Sequence, residues 1–130
     1  MKNVHFKLIK ILAVSVIVLG CIHLAATPVI ISGLGYLKTD DKTTFLFMFV
    51  AAGLGIILPG ITIVNQLSEL KAEQIRAYKL CVICSLYILL FGIMAVATMY
   101  TNPFAYVTLL LGILLFIPLM KIRGVYIVRN

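Results

Sequence analysis

His23 stands deep inside a run of uncharged residues, 11–37, in a chain of 130 residues. Thr27 follows at i+4, so on a helix the imidazole and the hydroxyl share a face. His23 lies about 20 Å of helical rise beyond Lys10. Projected to the same depth on later apolar segments, Thr98 and Thr108 stand at a similar level, with Gly53, Gly55 and Gly92 leaving space nearby. Four residues thus form a candidate intramembrane polar site: His23, Thr27, Thr98 and Thr108. An ionisable group inside a membrane segment faces the protein interior, is paired, and is a candidate for function. The alternative is a structural histidine, hydrogen-bonded to a threonine or to helix backbone and holding helices together.

The second chemical signal is "CVIC", which places Cys81 and Cys84 at Cys-x-x-Cys spacing. That spacing serves thiol redox chemistry. Cysteines in membrane helices also act as small apolar fillers. A second cysteine pair to pass electrons onward is absent, and Cys21 lies near mid-segment. Zinc requires three or four converging ligands. Cys81, Cys84 and His5 are three candidates at best, and Cys21 and His23 lie too far along the apolar run to join them. The expectation is no metal, no cofactor and no catalytic pair.

The elements that must position these residues follow from composition. The chain is 63% apolar and 12% charged, with mean hydropathy +1.18. A soluble domain of this length lacks the polar surface to cover so much apolar material. Charge is absent from 11–37, 43–68 and 80–120. A membrane-crossing helix needs about 20 apolar residues. The third run is long enough for two, and Asn102-Pro103 divides it, because the residue before proline resists helical geometry. The expected fold is all-α: four transmembrane helices at about 9–32, 44–66, 80–100 and 103–121, packed as one bundle in a single domain.

The formal net charge of +7 is unevenly distributed. Lys2, Lys7 and Lys10 precede the first helix, Lys71, Arg76 and Lys79 lie between the second and third, and Lys121, Arg123 and Arg129 follow the fourth. The positive-inside rule makes that side cytoplasmic, with both termini inside. Anionic headgroups at that face, rather than nucleic acid, are the expected counter-charge. The expected location is a multi-pass position in a cell membrane, of the bacterial cytoplasmic type.

Several local features refine this picture. "VLGC", ending at Cys21, looks like a lipoprotein cleavage box, but the apolar run continues well beyond it, which favours an uncleaved first helix. Ala51 and Gly55 form a small-x-x-x-small pair suited to helix packing. Pro28, Pro59 and Pro118 are candidate kinks. Ser68 is a candidate N-cap for a cytoplasmic amphipathic stem at about 69–79, which could continue into the third helix, with Glu73 meeting Arg76 at i,i+3; a solvated charged turn is an equal alternative. Tyr36, Tyr100 and Tyr106 fall at the outer boundary, Tyr78 and Tyr126 at the inner one, as an aromatic belt.

In size and topology the chain is similar to the small multidrug resistance transporters, which carry a membrane glutamate in their first helix. Here no acidic residue lies inside an apolar segment, and His23 occupies a comparable place. "CVICSLYILLFG" resembles the Cys-x-x-Cys region of bacterial membrane proteins that generate disulfides. Leu19, Gly20, His23, Thr27 and Pro28, followed by Gly53, Leu54, Gly60 and Asn65, resemble a loose set of uncharacterised bacterial four-helix membrane proteins. Their first helix reads L-G-x-x-H-x-x-x-T-P. That resemblance directs attention to His23 with Thr27-Pro28.

Three functional readings follow. The preferred one is a non-enzymatic integral membrane protein that self-associates or accompanies a membrane partner. The second is a small proton-linked carrier with its polar site around His23. The third is a thiol-active protein using Cys81 and Cys84.

Overall fold

Lipid-like composition on every side of a helix removes the usual mark of its inward face, so close packing must be set by shape. A computed structural model describes residues 2–36 and 38–127 and shows how. Among the described residues six helices follow in order: α1 (Lys2–Gly33), α2 (Thr39–Asn65), α3 (Leu67–Lys71), α4 (Ile75–Thr98), α5 (Pro103–Lys121) and α6 (Arg123–Ile127). No strand occurs among the described residues. Arg129, one of the basic residues flanking the fourth apolar segment, lies outside them.

α1 pairs with α2 and α4 pairs with α5, and contacts of α1 with α5 and α2 with α4 close the bundle. Glycine sets the approach within each pair. A Cβ built on Gly20 would lie 3.0 Å from the Gly53 carbonyl oxygen, and one on Gly60 would lie 3.0 Å from the Ala13 carbonyl oxygen. On the other side, a Cβ on Gly92 would sit 2.5 Å from Leu109 Cα, and one on Gly112 would sit 2.7 Å from Leu89 Cα. Small residues are what allow such contacts between helices surrounded by lipid.

The interior is a narrow stripe. Ile9, Ala13 and Val16 of α1 meet Ile56 and Ile63 of α2, Ile88 of α4 and Leu115 and Leu119 of α5. Four helices are long and apolar enough to cross a membrane, with mean hydropathy from 2.2 to 2.7 over their best windows, yet only 22–33% of each window is buried. Water would face a surface of Val, Leu, Ile and Phe on every side. Helices apolar all round suit a hydrocarbon solvent. The architecture is that of a multi-pass membrane protein.

The connections have local causes. Asp40 and Asp41 occupy the first turn of α2, where negative charge complements the helix dipole. Asn102 caps α5: its side-chain oxygen accepts the Phe104 N–H at 3.0 Å, and Pro103 takes the first helical position, where its missing donor leaves nothing unpaired. Pro28, Pro59 and Pro118 each stand inside an uninterrupted helix.

Between α2 and α4 the chain forms a turn, one of the two readings open from the sequence, and not the stem. A continuous stem does not form. α3 ends in a reversal in which the Gln74 N–H bonds the Glu69 carbonyl and the Glu73 N–H bonds the Leu70 carbonyl. This is the Schellman arrangement, whose left-handed position glycine usually fills. Here Glu73 fills it, with φ of 61°. Glu73 therefore stands in the turn, not on a helix with Arg76. Gln66, rather than Ser68, is the N-cap residue of α3, and Gln74 is that of α4.

Candidate functional site

His23 sits on α1 and turns its ring toward α2. The imidazole stacks on Phe49, with centroids 5.5 Å apart and planes 16° from parallel. Nε2 is buried and has no hydrogen-bond partner among the described residues. Gly53 makes room for the neighbouring Leu24: a Cβ there would lie 2.5 Å from Leu24 Cδ2, while its 3.4 Å to His23 Cδ2 would be ordinary contact.

Two hollows adjoin the ring. One is a small chamber of about 40 Å³ running toward α4 and α5, walled by His23, Ile56, Phe91, Ala95, Ala105 and Thr108. The other is a cleft of about 230 Å³ between His23, Phe45, Met48, Phe49, Ala52 and Met99. Apart from the imidazole, every side chain around the cleft is apolar. The cleft surface is apolar, as small-molecule sites mostly are, and the Nε2 of the ring that helps to wall it is buried.

The threonines divide. Thr27 is buried, but its hydroxyl donates to the His23 carbonyl oxygen at 2.9 Å, one turn back on its own helix. It therefore satisfies backbone and leaves the imidazole alone. Thr108 is buried in the chamber wall and donates to the Phe104 carbonyl oxygen at 2.8 Å. Thr98 is exposed, donates to the Met94 carbonyl oxygen, and lines neither hollow. Along α4 the inward residues are Cys81, Ser85, Ile88, Gly92 and Ala95. Met99, exposed and just past the end of α4, continues that spacing and lines both hollows, where Thr98 lines neither.

The other candidate residues scatter. Cys81 is buried in the core and Cys84 is half-buried beside Pro59 and Tyr87, both as free thiols. Cys21 is exposed on α1. Among the described residues, no three His, Cys, Asp or Glu side chains converge as a metal site. Gly92 serves the α4–α5 contact. Gly55 faces the Tyr87 hydroxyl, 2.9 Å from where a Cβ would stand, whereas Ala51 points away from the bundle.

Two features escaped the sequence reading. Phe45 and Phe49 form an i,i+4 aromatic pair in "TFLFMF" that supplies the cleft wall, a spacing visible in the sequence but ordinary in any apolar helix. Tyr78 and Tyr126 are not belt residues at a lipid boundary. Both are buried, their rings stack at 4.5 Å, and the Tyr126 hydroxyl donates to the Leu70 carbonyl oxygen. This lock ties α6 to α3 and α4. Burial, then the nearby Glu73 carboxylate, pushes the Tyr126 hydroxyl up to about 12.

Compared with known proteins, the chain matches no family model, no curated protein and no solved structure.

Proposed function

We propose that this chain is a non-enzymatic, polytopic membrane protein that works by binding, with His23 as its polar anchor. The observation that carries the reading is the buried, unpartnered Nε2 of a histidine that lines two hollows. An unmet buried hydrogen-bonding atom is unfavourable by about 1–3 kcal/mol. A ligand that satisfies it gains that amount on binding. In a neutral ring one nitrogen donates and the other accepts. In the tautomer that carries its proton on Nδ1, the unpartnered Nε2 is the acceptor. The fitting ligand is a small, mostly apolar molecule with one hydroxyl, its apolar body lying along Phe45, Met48 and Met99. The test is ¹⁵N NMR of the histidine-labelled protein in nanodiscs. Decanol should shift the Nε2 resonance and decane should not. Equal effects of the two, or none from decanol, remove the reading.

A proton-linked carrier is the second reading, and the chamber behind the ring favours it. Its 40 Å³ exceeds the roughly 10–15 Å³ that one water needs, and Thr108 stands in its wall. Water there would extend a polar path from Nε2 toward α5. Proteoliposomes separate the two readings: a carrier dissipates an imposed pH gradient in a His23-dependent way, and a binding protein does not.

A further inference from the structure

At the other end of the bundle three lysines converge from two helices. Lys7 and Lys10 of α1 and Lys71 of α3 line one groove of about 470 Å³, together with Phe6 and Leu67. No carboxylate is among the described lining residues. Lys7 and Lys10 are neighbours at i,i+3, where like charges repel. The Schellman turn and the burial of Leu67 and Leu70 then hold α3 so that Lys71 adds a third cation. Such a groove is stabilised by an anion.

We infer that this groove binds the phosphate of an anionic phospholipid. Its level in the fold argues for lipid over dissolved phosphate. Lys10 directly precedes the uncharged run 11–37, and α3 directly follows the end of α2 at Asn65. The groove therefore lies at the rim of the apolar girdle, where lipid phosphates are concentrated. Phe6 and Leu67, both buried, give it an apolar floor that suits the glycerol and first acyl carbons. Basic pockets at this level between membrane helices recognise lipid headgroups. The site is independent of His23.

The experiment uses the full chain in phosphatidylcholine nanodiscs containing a minority of phosphatidylglycerol, with retained lipid counted by native mass spectrometry. The unaltered protein should retain phosphatidylglycerol several-fold above its share. The triple variant K7Q/K10Q/K71Q should lose that enrichment. K7R/K10R/K71R and the opposite-end control K38Q/K42Q should keep it. Raising ionic strength from about 0.1 M to about 1 M shortens the screening length from ~10 Å to ~3 Å and should abolish enrichment in the unaltered chain. This arm stands even if the triple variant misfolds. Enrichment unchanged in the glutamine variant, or insensitive to salt, overturns the inference. So does displacement of the lipid by millimolar inorganic phosphate, which would make the ligand a dissolved anion.

Discussion

The His23 ring lies against the Phe49 ring across the α1–α2 interface, 5.5 Å between centroids, and the same contact leaves Nε2 buried and unmet. Phe49 thus orients the imidazole and walls the cleft at once. Beside the pair, Gly53 admits the Leu24 side chain, which a Cβ there would meet at 2.5 Å.

Shielding by Phe49 has a chemical consequence. Diethyl pyrocarbonate should modify His23 slowly in the unaltered protein and several-fold faster in Phe49→Ala, as read by peptide mass spectrometry. The same variant loses a stacking contact worth about 0.5–1.5 kcal/mol. Equal modification rates would show that the stack does not shield the ring.

Close helix approach at glycine predicts a sharp asymmetry between glycines. In Gly92→Ala the new methyl meets Leu109 backbone at 2.5 Å, so α4 and α5 must separate. Overpacking of this kind is destabilising by about 1–3 kcal/mol. Gly33→Ala meets nothing within 4 Å and should be neutral or slightly stabilising. Unfolding by titration with a denaturing detergent measures both.

The tyrosine lock should open in alkali. Tyr126 is pushed up to about 12 in the folded chain, against an ordinary 10.0. An acid whose folded pKa is raised contributes stability that is full below its unfolded value. That contribution falls as pH rises from about 10 to about 12. Tyrosinate absorbance of the unaltered chain minus that of Tyr126→Phe should show one group ionising late. Glu73→Gln removes a neighbouring negative charge and should move that ionisation toward lower pH.

Thiol burial orders reactivity. A lipid-soluble maleimide should label exposed Cys21 first, half-buried Cys84 more slowly and core Cys81 least. A membrane-impermeant, charged maleimide should leave Cys21 unlabelled in sealed vesicles. Rapid labelling of Cys81 would contradict its place in the core.

The positions of the apolar helices were legible because charge and proline punctuate them. Asn102-Pro103 reads as a break, and it serves as the cap and first residue of α5. Inward faces were far less legible. In hydrocarbon both sides of a helix are apolar, so periodicity does not separate core from surface. Depth alone grouped Thr98 with His23, but the azimuth set by Cys81, Ser85, Ile88, Gly92 and Ala95 leaves Thr98 off the buried face of α4. For the same reason Ala51 looked like a packing residue and points outward. Tyr126 was unreadable for another cause: its partners, Tyr78 and Leu70, are brought to it by tertiary folding. The chain reversal at Glu73 was hidden because glycine normally marks a left-handed position.

The central claim is that hydrocarbon surrounds the four long helices. Spin labels at Val18, Leu54, Leu90 and Leu110, all exposed on the bundle's outside, test it by electron paramagnetic resonance in reconstituted bilayers. The account predicts fast relaxation by oxygen and little by an aqueous nickel chelate at all four, with buried Val16 and Leu115 shielded from both. Free access of the nickel chelate to those four exposed positions would contradict it.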